Sequence, residues 1–179
     1  MATQTREDIK GREPPGLIRS VFSFPSPVND VAARLVAGMV VALSLAVLLT
    51  GQWWLMFVLA YGFLARVAAG PTLSPMGLLA TRVLVPLLGN PKRPVPGPPK
   101  RFAQSVGLVF SATALILYFP VGSAVAAKSV LGALLLFATL ESVVGFCAGC
   151  LVFNYLMRWG LIPESVCREC LVGVQGVTD

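Results

Sequence analysis

The sequence contains no histidine. That absence removes His-ligated haem, imidazole-bearing metal sites and triads built on a histidine base. Charge is scarce as well. Only 12% of the 179 residues are Asp, Glu, Lys or Arg, 56% are hydrophobic, and the mean hydropathy is +0.79. This balance lies outside the range of water-soluble domains and is that of a membrane protein. No basic run is interleaved with stacking aromatics, so the net charge of +6 is not read as a nucleic-acid footprint. In a membrane protein Lys and Arg gather on the cytoplasmic side and near anionic headgroups. Residues 1–31 lack an apolar core followed by a small-residue cleavage site, so no cleavable signal peptide is expected. No repeat of fixed period is visible, and no pair of broken spans points to a secondary transporter.

What the chain does contain is long apolar runs. Residues 1–27 read as a flexible, surface-lying arm of mixed charge. Asn29 and Asp30 stand where a helix N-cap belongs, and the first span is expected over 31–50, with Arg34 one turn in. Gly51-Gln52 leaves room only for a tight turn before the interfacial pair Trp53-Trp54. The second span, 53–69, must therefore form an antiparallel hairpin with the first. Ser74-Pro75 opens a helix over about 74–88 that is too short to span and is interrupted by Arg82 and Pro86, hence interfacial or re-entrant. Five prolines and three cations in Asn90–Lys100 predict an extended loop. A third span is expected over 102–119 and a fourth over 129–150, where Gly145 and Gly149 form a small-xxx-small pair. An amphipathic helix and a cysteine-bearing tail follow to 171, and residues 172–179 form a terminal tail.

The expected fold is all-α: one integral membrane four-helix bundle over 28–171, with an interfacial or re-entrant helix and a short C-terminal helix carrying cysteines. The N-terminal arm, the connection between spans two and three, and the tail after Cys150 hold nearly all Lys and Arg, and the third-to-fourth turn holds only Lys128. The positive-inside rule then puts both termini in the cytoplasm of a multi-pass protein of the plasma membrane. Its first partner is the lipid bilayer, and the sequence leaves a homo-oligomer open.

All four cysteines fall in Glu141–Cys170 as two CxxC pairs, Cys147/Cys150 and Cys167/Cys170. On this topology they lie in a compartment that keeps thiols reduced, so a permanent structural disulfide is disfavoured. Metal binding, thiol redox chemistry, sulfur transfer and inert cysteines remain. The spacing C-x2-C-x16-C-x2-C falls within the window of tetrathiolate zinc sites, so all four thiolates are candidate zinc ligands. In the redox reading, Cys147 and Cys150 face one way on a helix, with Cβ atoms roughly 5–6 Å apart. A disulfide there needs local adjustment. Cys167 and Cys170 form the exposed shuttle pair, and Cys147 and Cys150 the boundary pair. Glu141 is the other candidate site residue. On a continuous helix it lies roughly 13 Å inside the boundary marked by Cys150. It is either a functional acid or the partner of Arg34, Arg66 or Arg82. It faces away from Cys150 there, which argues against its being the base for that thiol.

The segments PVNDVAARL, AGPTLSPMGLL, PPKRFAQ, GFCAGC and RWGLIPESVCREC resemble a bacterial family of four-span membrane proteins described as a domain of unknown function. The resemblance covers about Pro27 to Cys170. It implies thiol or sulfur chemistry at the inner membrane with thioredoxin-like or rhodanese-like partners, and it lends no catalytic residue. The two-pair relay is also similar in logic to quinone-linked membrane thiol oxidoreductases of the vitamin K epoxide reductase and disulfide-bond protein B kinds, which makes a quinone a possible cofactor. The overall plan is similar to DoxX-like proteins, without a close motif match. The leading expectation is thiol-disulfide exchange or sulfur transfer at the cytoplasmic face. The alternatives are an adaptor with a zinc site and a carrier of a small sulfur species that uses Glu141 and an arginine.

Overall fold

The computed structural model describes residues 27–91 and 93–161. The N-terminal arm and the Cys167/Cys170 tail lie outside the described residues. The described chain is all-α apart from one two-residue ladder. Its elements are β1 (Val28–Asn29), α1 (Asp30–Thr50), α2 (Leu55–Ala69, extended by a 3-10 turn to Thr72), α3 (Pro75–Leu87), β2 (Pro94–Val95), α4 (Gly97–Tyr118), α5 (Ala124–Val144) and α6 (Ala148–Arg158). Four helices, α1, α2 with its extension, α4 and α5, are long and apolar enough to cross a membrane.

Local chemistry sets the helix ends. The Asn29 side chain accepts from the Val31 N–H at 3.1 Å and caps α1. Gly51, at φ 70°, ends α1 in the left-handed conformation that glycine tolerates best. Ser74 caps α3 through the Gly77 N–H, with Pro75 at the first helical position. The Asn90–Lys100 tract departs from the expected extended loop. Only its centre is extended, and α4 begins at Gly97, ahead of the expected 102. Pro98 and Pro99 fall in the first helical turn, where backbone N–H groups have no helical acceptor to lose. This start places Lys100 on a helix.

The helices alternate in direction around a square, with α1 against α2, α2 against α4, α4 against α5, and α5 against α1. Val40, Val47, Met56, Leu59, Phe63, Leu131 and Leu134 fill the centre. Gly107 of α4 lies against the Phe63 ring, where any Cβ would collide. The outer faces stay apolar. Leu49, Phe57, Leu64, Val109, Ile116, Val125 and Val143 are all exposed, the pattern of helices solvated by hydrocarbon.

The two ends differ. At one, Trp53 stacks on Tyr118 with ring centroids 3.9 Å apart, and Phe57 meets Phe119. At the other, β1 pairs with β2, and Asp30 N–H donates to the Arg93 carbonyl at 2.8 Å, which clasps the start of α1 to the approach to α4. Arg101 Nε donates to the Val67 carbonyl at 3.0 Å and ties in the end of α2. Lys100 then holds two carboxylates at once. Its Nζ is 3.0 Å from Asp30 Oδ1 of α1 and 3.0 Å from Glu141 Oε1 of α5.

The Lys100 side chain is 7% exposed, and removing it strands two carboxylates in a setting of low polarity. Lys100→Met is expected to destabilise the detergent-solubilised protein by ~3 kcal/mol. Lys128→Met, at an exposed position, is expected to stay within ~0.5 kcal/mol. Equal thermal unfolding of the two variants would overturn the assignment of Lys100 as the clasp.

Candidate functional site

The apolar run through residue 150 predicts a continuous span, but α5 ends before the cysteines. A π turn over Leu140–Val144 leads to Gly145 at φ 78°, and the chain turns there. Arg34 explains the position. Its guanidinium occupies the space that a Cβ on Gly145 would need. Gly145 and Gly149 are thus not a pair on one helix. Gly145 ends α5, and Gly149 sits in α6, where an added Cβ would stand 2.6 Å from the Ala103 Cα of α4. Hydropathy cannot register such a turn, because the residues on both sides of it are equally apolar.

The turn gives the first CxxC pair its geometry. Cys147 has extended backbone and is the N-cap of α6, and its Sγ accepts from the Cys150 N–H at 3.2 Å. Cys147 and Cys150 form a disulfide, with Cα atoms 5.2 Å apart. The local adjustment that bridging requires is this extended cap residue, which swings Cys147 out of the helical repeat. From there α6 folds back over the start of α4. Phe153, 4% exposed, packs on Phe102 with ring centroids 5.7 Å apart.

The fold-back closes one side of a cavity of about 370 Å3 inside the bundle. Its walls are mostly apolar, from Val40, Phe63, Phe110, Leu134 and Phe137. One region is polar, and there Arg66, Lys100, Gln104, Glu141 and Cys147 all line the same space. Glu141 therefore is not placed across a helix from the cysteines, as a continuous span would have it. It lies in the last turn of α5, and among the described residues its ion-pair partner is Lys100, not the arginines. The turn at Gly145 brings the acid and Cys147 to one cavity.

Arg66 is the least satisfied group in this layer. It is 2% exposed, its guanidinium carbon lies 4.5 Å from the Phe63 ring centroid, and Nε and Nη2 have no hydrogen-bond partner among the described residues. Gln104 Oε1 is also buried without a donor among the described residues. Lys100 pairs with both Asp30 and Glu141, and Arg66 and Gln104 line the same cavity as this ion-pair cluster. Sequence reasoning missed Lys100, Asp30 and Gln104 as site residues. One available signal was the need of Glu141 for a cation, which Lys100 meets once prolines are allowed in a first helical turn. Gln104 carried no such signal.

The four-thiolate zinc arrangement needs Cys167 and Cys170, which lie outside the described residues. Among the described residues, no group of three or more His, Cys, Asp and Glu side chains is placed to hold a metal ion.

A family model described as a domain of unknown function (DUF4395) matches residues 28–158, most of the chain, and the chain belongs to that family. No curated protein and no solved structure matches the chain.

The turn at Gly145 yields a direct test. Gly145→Ala requires a left-handed alanine, at ~1–2 kcal/mol, and displaces the Arg34 guanidinium. We expect lower thermal stability and faster reduction of Cys147–Cys150 by dithiothreitol, as α6 loses its fixed start. Unchanged stability and unchanged reduction would show that glycine is not required at this turn.

Proposed function

We propose that this DUF4395 chain is a bacterial inner-membrane thiol-disulfide exchange protein whose working group is the Cys147–Cys150 pair. The observation that carries the reading is where that disulfide sits. It joins residues three apart at the start of one short helix. A bridge closing so small a loop removes little unfolded-chain entropy, ~2 kcal/mol, against ~4.7 kcal/mol for a 100-residue loop. It staples no two helices of the bundle together. Its worth lies in being made and broken.

The geometry favours one direction of attack. A thiolate on Cys147 keeps the Cys150 N–H and the positive end of α6, so Cys147 is the better leaving group. An incoming thiolate attacks the Cys150 sulfur, the Cys147–Cys150 bond breaks, and a mixed disulfide forms on Cys150. A second thiol of the donor then attacks its own sulfur in that mixed disulfide and frees Cys150. Two electrons enter the pair, and the donor leaves as a disulfide. Cys167 and Cys170 act as the shuttle dithiol between this pair and a thioredoxin-like or rhodanese-like protein.

The basic end supports the topology. Arg34, Arg66, Arg93, Lys100 and Arg101 cluster there, and Lys128 near the start of α5 is the one cation at the opposite end among the described residues. On the positive-inside rule that end faces the cytoplasm, where such partners reside.

With a reduced thioredoxin-like protein as donor, Cys147→Ser and Cys150→Ser are each expected to abolish exchange without loss of membrane insertion. A donor lacking its resolving cysteine should be trapped on Cys150 when Cys167 and Cys170 are replaced by serine, as peptide mapping would read. Full exchange in Cys150→Ser sinks the assignment.

A further inference from the structure

Arg34 is a cation in search of a counter-ion. It stands four residues past Asp30 on α1, roughly 6 Å further along the helix axis. Lys100 holds the carboxylates of Asp30 and Glu141, and among the described residues no acid pairs with Arg34. The side chain is half-buried and packs against Gly145, and its Nε is shut in without an acceptor among the described residues. Arg34 also lines a groove of about 490 Å3 between α1 and the end of α5.

This groove shares no residue with the cavity at Cys147. Leu35, Gly38, Met39 and Ala42 of α1 line it on one side, and Ser142 and Val143 of α5 on the other. The α1 residues recur at helical spacing on one face, and that face looks outward, since Ala42 and Val143 are exposed where hydrocarbon surrounds the bundle. Gly38 keeps the floor open, because a Cβ there would stand 3.1 Å from Ser142 Oγ. From Val31 to Ala42 the groove follows roughly 16 Å of helix, and the hydrocarbon of one leaflet is about 15 Å deep. Its cation lies toward the membrane surface, and beyond it the Ser142 hydroxyl is the one polar side-chain group in the lining among the described residues.

We infer that this groove binds an anionic phospholipid from the leaflet at the basic end. The lipid phosphate accepts from the Arg34 guanidinium, and one acyl chain lies along α1 over Gly38 as far as Ala42. Charge and shape select this ligand together. A guanidinium offers paired donors that match phosphate oxygens, and its long stem lets the charge reach the headgroups from within the span. A soluble phosphate gains nothing from the apolar length of the groove. A zwitterionic lipid brings its own cation to the phosphate and so gains less from Arg34. The open side of the groove leaves the second acyl chain in the surrounding bilayer. The site is independent of the thiol chemistry at Cys147, and its occupant supplies the counter-charge that the described residues do not.

The test uses the full chain, delipidated in detergent and titrated with dioleoyl phosphatidylglycerol or dioleoyl phosphatidylcholine, with retained lipid counted by native mass spectrometry. We expect one phosphatidylglycerol per chain, held about fivefold more tightly than phosphatidylcholine. Arg34→Gln should abolish that preference. Ala42→Trp fills the groove from an exposed position and should weaken phosphatidylglycerol retention about fivefold with Arg34 intact. Arg93→Gln removes an exposed cation of the same end outside the groove and should change neither. Equal retention of the two lipids by the parent protein overturns the inference, as does a preference that survives in folded Arg34→Gln. Unchanged retention in Ala42→Trp overturns it too, and so does an equal loss in Arg93→Gln, which marks a diffuse attraction to the basic end. Displacement by equimolar oleate gives the groove to a fatty carboxylate, and a lipid-free dimer that Ala42→Trp dissociates gives it to a second copy of the chain; either result rejects the phospholipid. Should Arg34→Gln lose the fold at Gly145, Ala42→Trp and Arg93→Gln decide the outcome.

Discussion

Lys100 is the interaction on which the rest of the arrangement depends. One ammonium, largely shut from solvent, joins carboxylates at the start of α1 and near the end of α5, while its own helix carries it between them. Apolar packing alone would not fix these helices against one another, because hydrocarbon outside a bundle is as apolar as the leucines within it. A directional contact that ties three helices supplies the missing specificity. The ladder of Val28 with Val95 and the Arg101 contact to α2 add to the same end, so the bundle is pinned there and packed elsewhere.

That pinning shapes the chemistry. Glu141 pairs with Lys100, and Arg66 lines the cavity beside them with its guanidinium over the Phe63 ring. Arg34 is spent in another way, against the backbone at Gly145, where it fixes the point at which α5 gives way to α6. Three basic residues at similar depth thus have three tasks. One clasps helices, one sets a turn and one faces an open space next to a disulfide.

Much of the fold is legible in the residues. The caps at Asn29 and Ser74, the tight turn at Gly51 and the count of four long apolar helices follow from local chemistry and hydropathy. The cysteine motif marks the right region. What was not legible depends on contacts distant in sequence. Gly145 reads as a packing glycine because only Arg34, far away in the chain, makes it a turn. Lys100 reads as a loop cation because five nearby prolines outweigh the fact that two of them fit a first helical turn. Glu141 is misplaced in depth for the same reason, since its depth was measured along a helix that does not continue.

The Lys100 clasp also bears on how the chain is assembled. Lys100 and Glu141 are separated by 41 positions, and of the four long helices among the described residues α5 is made last. Until it arrives, Asp30 and Lys100 can pair, but the layer lacks its second carboxylate and is more cationic than in the finished bundle. All of these groups lie within about a turn of the helix ends, roughly 5 Å, where headgroups and water reach them until the last helix packs and shuts Lys100 in. The partly made protein can thus be inserted without carrying an uncompensated charge through the bilayer centre, and the arrival of Glu141 converts a loose set of helices into a closed one.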